Sequence, residues 1–138
     1  MPMKIDYDLF IDSDAFIGLN YEFDVHHLKS VELFMKAAQL DLRMVTSNLV
    51  IIETATVLSN RSGQIAANFF LQSIKSFEQV FVDQDMYRQA LNLFSQQKSR
   101  GSSVVDCANV TVMKKYSIPS ILSFDKAYKK QYGLQFFE

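Results

Sequence analysis

The stretch Leu9-Phe10-Ile11-Asp12-Ser13-Asp14-Ala15-Phe16-Ile17-Gly18-Leu19 decides how the rest of the chain is read. Three large apolar residues run into an acid, a hydroxyl and a second acid, and apolar residues resume at once. A short apolar run bounded by turn-forming residues fits a buried strand, read here over Tyr7 to Ile11. Asp12-Ser13-Asp14 then opens a short helix through Phe16, Leu19 and Asn20. Asp and Ser suit that position because their oxygens accept the free N–H groups of a helix's first turn. An acid so placed is either a cap or part of a site at the strand's end.

Working outward, strand-like and helix-like runs alternate. His26 to Leu40 reads as an amphipathic helix with Leu28, Val31, Phe34, Met35 and Ala38 on its apolar side. Arg43 to Thr46 is a second strand. Ser47 or Asn48 caps a helix through Leu49 to Leu58, which ends near Asn60-Arg61-Ser62-Gly63. Gln64 to Lys75 is a helix with Ile65, Phe69 and Ile74 among its apolar positions. Phe77 to Val82 is a third strand, and Gln84 to Arg100 a helix with Met86, Ala90, Leu93 and Phe94 on one side. Gly101-Ser102-Ser103 turns into a helix over Val104 to Tyr116. Ser120 to Phe124 is a fourth strand, Lys126 to Tyr132 a short helix, and Leu134 to Phe137 a last strand.

Strands that alternate with helices pair in parallel, because the crossovers cover both faces of the sheet. The expected class is therefore α/β, three layers around a central parallel sheet of about five strands. Ligands of such sheets bind at the carboxyl ends of the strands, where strand order reverses. If the first and fourth strands are neighbours there, Asp12 and Asp125 converge on one crevice.

The chain has 138 residues, enough for one domain spanning 1–138. Its formal net charge of -1 excludes a protein that grips nucleic acid by bulk positive charge, though a local basic patch is compatible with it. A single cysteine, Cys107, excludes an intramolecular disulfide framework and a cysteine-based zinc site. The acids at Asp6, Asp8, Asp12 and Asp14 break up any signal-peptide pattern, and no apolar run reaches the roughly 18 residues of a membrane span. A reducing, cytoplasmic setting is the expectation, with no membrane partner.

Three more acids stand out. Glu53 lies inside Leu49-Val50-Ile51-Ile52-Glu53-Thr54-Ala55-Thr56-Val57-Leu58, on a helical face with Leu49, Val50, Thr56, Val57 and Asn60. Unless that face is exposed, its charge must be paired, bind a metal or be neutralised. Asp106 follows Ser103 by three residues, an approximate capping box, so helix capping alone could explain it. Asp125 ends the apolar run Ile121-Leu122-Ser123-Phe124, as Asp12 ends the first. Clustered carboxylates are the usual way to hold Mg²⁺ or Mn²⁺ beside a phosphate.

In this order the motifs resemble the PIN domain family. They stand as LFIDSDAFIGL, SNLVIIETATVL, GSSVVDCANV and ILSFDKAYKK, and length and motif order look most like the single-domain VapC toxins. The resemblance implies a Rossmann-like sheet and an Mg²⁺- or Mn²⁺-dependent endoribonuclease acting through metal-activated water. It also implies a homodimer silenced by a VapB-like antitoxin. Asp12, Glu53, Asp106 and Asp125 would be the catalytic and metal-binding quartet, with Ser123 supporting the last acid. Asp14 departs from the family, which more often carries Ser, Thr or Asn there; it either adds a contact to the site or caps the first helix. Arg61 is the basic residue of first interest.

Two other readings remain. One is a PIN-like RNA or protein adaptor without turnover. The other is a haloacid-dehalogenase-like phosphatase, suggested by Asp12-Ser13-Asp14 but poorly matched by Phe16. His26 and His27 are read as surface residues, since adjacent helical positions point apart. Cys107 is read as a small helix residue; Lys126, Lys129, Lys130 and the Lys98-Arg100 pair could steer RNA phosphates, but a solvated helix face is the commoner explanation.

Overall fold

The computed structural model describes residues 6–98 and 100–138. Its strands are β1 (Leu9–Ile11), β2 (Met44–Ser47), β3 (Gln79–Val80), β4 (Ser120–Leu122) and β5 (Gln135–Phe136). The helices are α1 (Ser13–Asn20), α2 (His27–Gln39), α3 (Asn48–Ser62), α4 (Gln64–Ser73), α5 (Gln84–Ser95), α6 (Val104–Lys115) and α7 (Ala127–Tyr132). Every strand pair is parallel, and the five strands run in the order β3-β2-β1-β4-β5. The alternation read from the sequence thus gives the expected three-layer α/β fold. Strand order reverses between β1 and β4, which pair as Leu9 with Ser120, Phe10 with Ile121 and Ile11 with Leu122.

β1 is buried along its length, as its unbroken apolar run requires of a central strand. The ladder continues one step beyond it, where Asp12 N–H donates to the Leu122 carbonyl at 3.1 Å. On the other side the Thr46 hydroxyl donates to the Ile11 carbonyl at 2.8 Å, so the carboxyl end of β1 is held from both neighbours. α1 is anchored beneath it by Phe16, whose ring lies 5.7, 5.6 and 5.4 Å from those of Phe34, Phe70 and Phe77. Such pairs each add about 0.5–1.5 kcal/mol beyond buried area.

Ser47 caps α3 by accepting from Val50 N–H, while Asn48 accepts instead from Val82 N–H at 2.7 Å and ties down the exit of β3. Gly63 ends α3 at φ 98, a conformation that favours glycine. The helix read as Gln84 to Arg100 stops at Ser95, because the Gln97 side chain turns to bond the Ser102 backbone rather than continuing the helical surface.

Two helices bury a different face from the one their apolar spacing suggested. α2 buries Ser30, Leu33 and Ala37 and leaves Leu28 83% and Met35 57% exposed. α4 buries Ala67 and Phe70 and leaves Ile65 88% and Phe69 70% exposed. For α2 the cause is close approach. A Cβ added to Gly18 of α1 would lie 2.3 Å from the Ser30 hydroxyl, so two small residues meet where the helices cross.

Candidate active site

The carboxyl ends of β1 and β4 bring together a network of acids and neutral polar groups. Asp12 lies at its centre, only 4% exposed. Its Oδ1 accepts from Ser13 N–H at 2.8 Å and from the Asn109 amide at 3.1 Å, and its Oδ2 lies 3.0 Å from the Ser123 hydroxyl. Burial pushes the Asp12 carboxyl well above its ordinary range, and Asp14 and Asp106 push it the same way. Among the described residues the salt bridges are Lys29–Glu32, Arg43–Glu78 and Arg61–Asp24, so none of these acids has a cationic partner in contact. A buried carboxylate without a cation must be neutralised or bind one.

Asp14 belongs to the same network. Its Oδ2 accepts from Phe124 N–H at 2.8 Å and lies 3.1 Å from the Ser123 hydroxyl, while Oδ1 is buried without a partner. Burial raises its carboxyl to about 6, despite these bonds and the nearby His26. Asp12 is the cap of α1; Asp14 reaches across the switch point to the turn after β4. Ser123 has one hydroxyl hydrogen for two carboxylates, which favours one shared proton or one bound cation over two bare charges.

Asp106 has both of the roles weighed for it. Oδ2 accepts from Ser103 N–H at 2.9 Å and the Ser103 hydroxyl accepts from Asp106 N–H at 3.0 Å, a complete capping box. Its Oδ1 accepts from the Tyr128 hydroxyl at 2.9 Å, and that hydroxyl accepts from Asn109 at 2.9 Å. Asp12 and Asp106 are therefore joined through two neutral side chains. Tyr128 is 1% exposed, and burial beside Asp12 and Asp106 holds its hydroxyl protonated far beyond its ordinary range.

Glu53 is half-buried on α3, beside the buried stripe Val50, Thr54 and Leu58. Burial raises its carboxyl; a hydrogen bond with the Ser13 side chain lowers it, and Asp106 raises it. It thus faces the centre from the helix side. Asp125 joins more loosely: its carboxylate accepts from Ala127 N–H at 2.9 Å and opens α7, and its own N–H donates to Ser123 at 3.2 Å. Arg61 contacts Asp24 at 3.6 Å. The histidines do more than cover surface. His27 bonds the Gly18 carbonyl at 2.7 Å, and His26 stacks on Phe124 with ring centroids 4.1 Å apart.

Asn109 and Tyr128 were not singled out by sequence reasoning. Each stands three positions after an acid of interest, Asp106 and Asp125, one helical turn along. That spacing was the available signal, since i and i+3 share a helical face. An Asn in the otherwise small and apolar run Cys107-Ala108-Asn109-Val110 was a second one.

The donors fit a hard cation: they are carboxylate oxygens, they raise one another's proton affinity, and one, Asp14 Oδ1, lacks a partner. Among the described residues, however, no three acidic, histidine or cysteine side chains close around a single ion. A cation here would keep part of its water shell, as Mg²⁺ commonly does.

A parallel sheet with an acidic centre at its switch point defines the class: an open α/β protein whose site gathers buried carboxylates. The model of the PIN domain matches residues 9–134, and the chain belongs to that family. Among solved structures it is similar to the Mycobacterium tuberculosis toxin VapC20, described as cleaving the sarcin-ricin loop. The TM-score is 0.82 with 24% identity over 91% of this chain and 95% of that one. No curated protein sequence matches.

Proposed function

We propose that the protein is an endoribonuclease of VapC type, dependent on Mg²⁺ or Mn²⁺. The observation that carries this reading is Asp12, a buried carboxylate flanked by Asp14 and Asp106 with no cationic side chain in contact among the described residues. Membership of the PIN family and the likeness in fold to a toxin described as cleaving the sarcin-ricin loop support it.

Asp12, Glu53, Asp106 and Asp125 would hold the cation directly or through its retained water shell, with Asp14 beside them. A divalent cation supplies positive charge where negative charge builds on the phosphate, and it acidifies water to furnish the nucleophile. Ser123 and Asn109 fix the two oxygens of Asp12, and Tyr128 and Ser103 fix those of Asp106. The carboxylates are thus oriented before substrate arrives, which limits reorganisation during the reaction. No side chain needs to form a covalent intermediate.

The further expectations of this reading are a cytoplasmic toxin, a homodimer and a VapB-like antitoxin. Exposed Ile65 and Phe69 on α4, and Phe23, Val25 and Leu28 around the start of α2, provide apolar surface for such partners. Among the described residues no helix is long and apolar enough to cross a membrane.

A second reading is a PIN-fold adaptor without turnover, favoured by the absence of three closely grouped ligands among the described residues. Titration with Mn²⁺ separates the two. A nuclease should gain several degrees in thermal midpoint as Mn²⁺ is added and should digest single-stranded RNA over the same range. An unmoved midpoint with intact RNA would favour the adaptor.

A further inference from the structure

The turn that carries Ser123 and Phe124 faces two ways. On one side Ser123 touches Asp12 and Asp14, and Phe124 N–H bonds Asp14. On the other, the same two residues wall a pocket of about 360 Å³, whose lining includes Lys29 of α2, Lys126, Phe136 and Phe137. The acidic centre and the pocket therefore share one turn, so a chain seated in the pocket lies beside the centre.

The chemistry of the two is complementary. The centre is a cluster of acids, suited to cations. The pocket offers three half-buried aromatic rings beside two lysines, with Glu138 as its acid. Phe124 is fixed by the parallel stack of His26, at an interplanar angle of 7°. Lys126 is exposed and in no salt bridge among the described residues. Lys29 pairs with Glu32 at 3.1 Å, an exposed contact weak enough to yield to a phosphate. Aromatic rings with flanking cations are how proteins hold single-stranded nucleic acid, since every base has a face to stack and every linkage a charge.

We propose that this pocket seats the nucleotide next to the scissile phosphate of a single-stranded RNA. Its base packs against Phe124, Phe136 and Phe137, and its phosphate rests on Lys29 and Lys126. The proposal rests on the nuclease reading above for the identity of the neighbouring site. It adds where the substrate is gripped: stacking tolerates different bases, so the pocket supplies affinity and register more than sequence readout.

The test uses a fluorescein-labelled single-stranded RNA 12-mer of mixed sequence. Binding is read by anisotropy in EDTA, and KM and kcat are read in Mn²⁺. The variants are Phe136→Leu, whose thermal midpoint is measured to show that half-buried β5 still packs, and the double variant Lys29→Gln/Lys126→Gln at two exposed positions. Each should raise Kd and KM roughly tenfold with kcat little changed. The lysine variant should also flatten the slope of log Kd against log salt by about 0.7, for one neutralised single-strand phosphate. Unchanged Kd, KM and salt slope in both would overturn the proposal and would leave the pocket to a protein partner. If wild type binds the RNA and the variants weaken that binding, but none cuts it in Mn²⁺, the pocket stands and the nuclease reading fails.

Discussion

At the scale of single residues, the electrostatics of the switch point have a measurable sign. The Asp14 carboxyl is raised to about 6 in the folded protein, chiefly by burial, against about 3.9 for a free Asp. The folded state therefore holds this proton more tightly than the unfolded chain. Its contribution is full below about pH 4 and is lost as pH rises through about 6. Asp14→Asn should remove that loss and stabilise the metal-free protein at pH 8 by on the order of 1–3 kcal/mol. Urea unfolding at pH 4.5 and pH 8 checks this; an equal pH dependence in both proteins would contradict it. The sequence placed Asp12, Asp106 and Asp125 at element ends, where local chemistry is readable. It could not rank Asp14 above Asp125 as a member of the buried network, because that order depends on how the turn after β4 folds back. Phe124 N–H and the Ser123 hydroxyl meet Asp14 across a sequence separation of more than a hundred residues.

At the scale of elements, the alternation of strands and helices was legible, while strand order and helix facing were not. Apolar runs ending in acids marked β1 and β4 as strands, but that they are neighbours is a long-range pairing the sequence left conditional. The buried face of α2 depends instead on a contact between Gly18 and Ser30, residues that hydropathy treats as uninformative. Spacing selected Leu28 and Met35, and the close crossing of α1 and α2 selected Ser30, Leu33 and Ala37. Two substitutions test this crossing. Gly18→Ala should destabilise the protein by about 1–3 kcal/mol, since the new methyl meets Ser30 and the His26 carbonyl. Ser30→Ala should be neutral or stabilising, because it removes a buried hydroxyl that lacks a hydrogen-bond partner. Chemical denaturation of the two variants measures both; stabilisation by Gly18→Ala would show that the helices do not meet there.

At the scale of the whole molecule, the sheet, the caps and the aromatic cluster around Phe16 serve one arrangement. They hold carboxylates from the end of β1, from α3 and from α6 near one another, with the turn after β4 beside them, and among the described residues no cationic side chain pairs with them. In the proposed function a bound metal ion offsets this cost, and membership of the PIN family supports a use of that ion on RNA. The decisive comparison is cleavage of a total RNA pool by wild type and by Asp12→Asn, each with Mn²⁺ and with EDTA, alongside their thermal midpoints. Cutting should occur with wild type in Mn²⁺ alone, and Asp12→Asn should be inactive with a midpoint unchanged or raised. Full activity in Asp12→Asn, or cutting by wild type that persists in EDTA, would contradict a metal-dependent nuclease centred on Asp12.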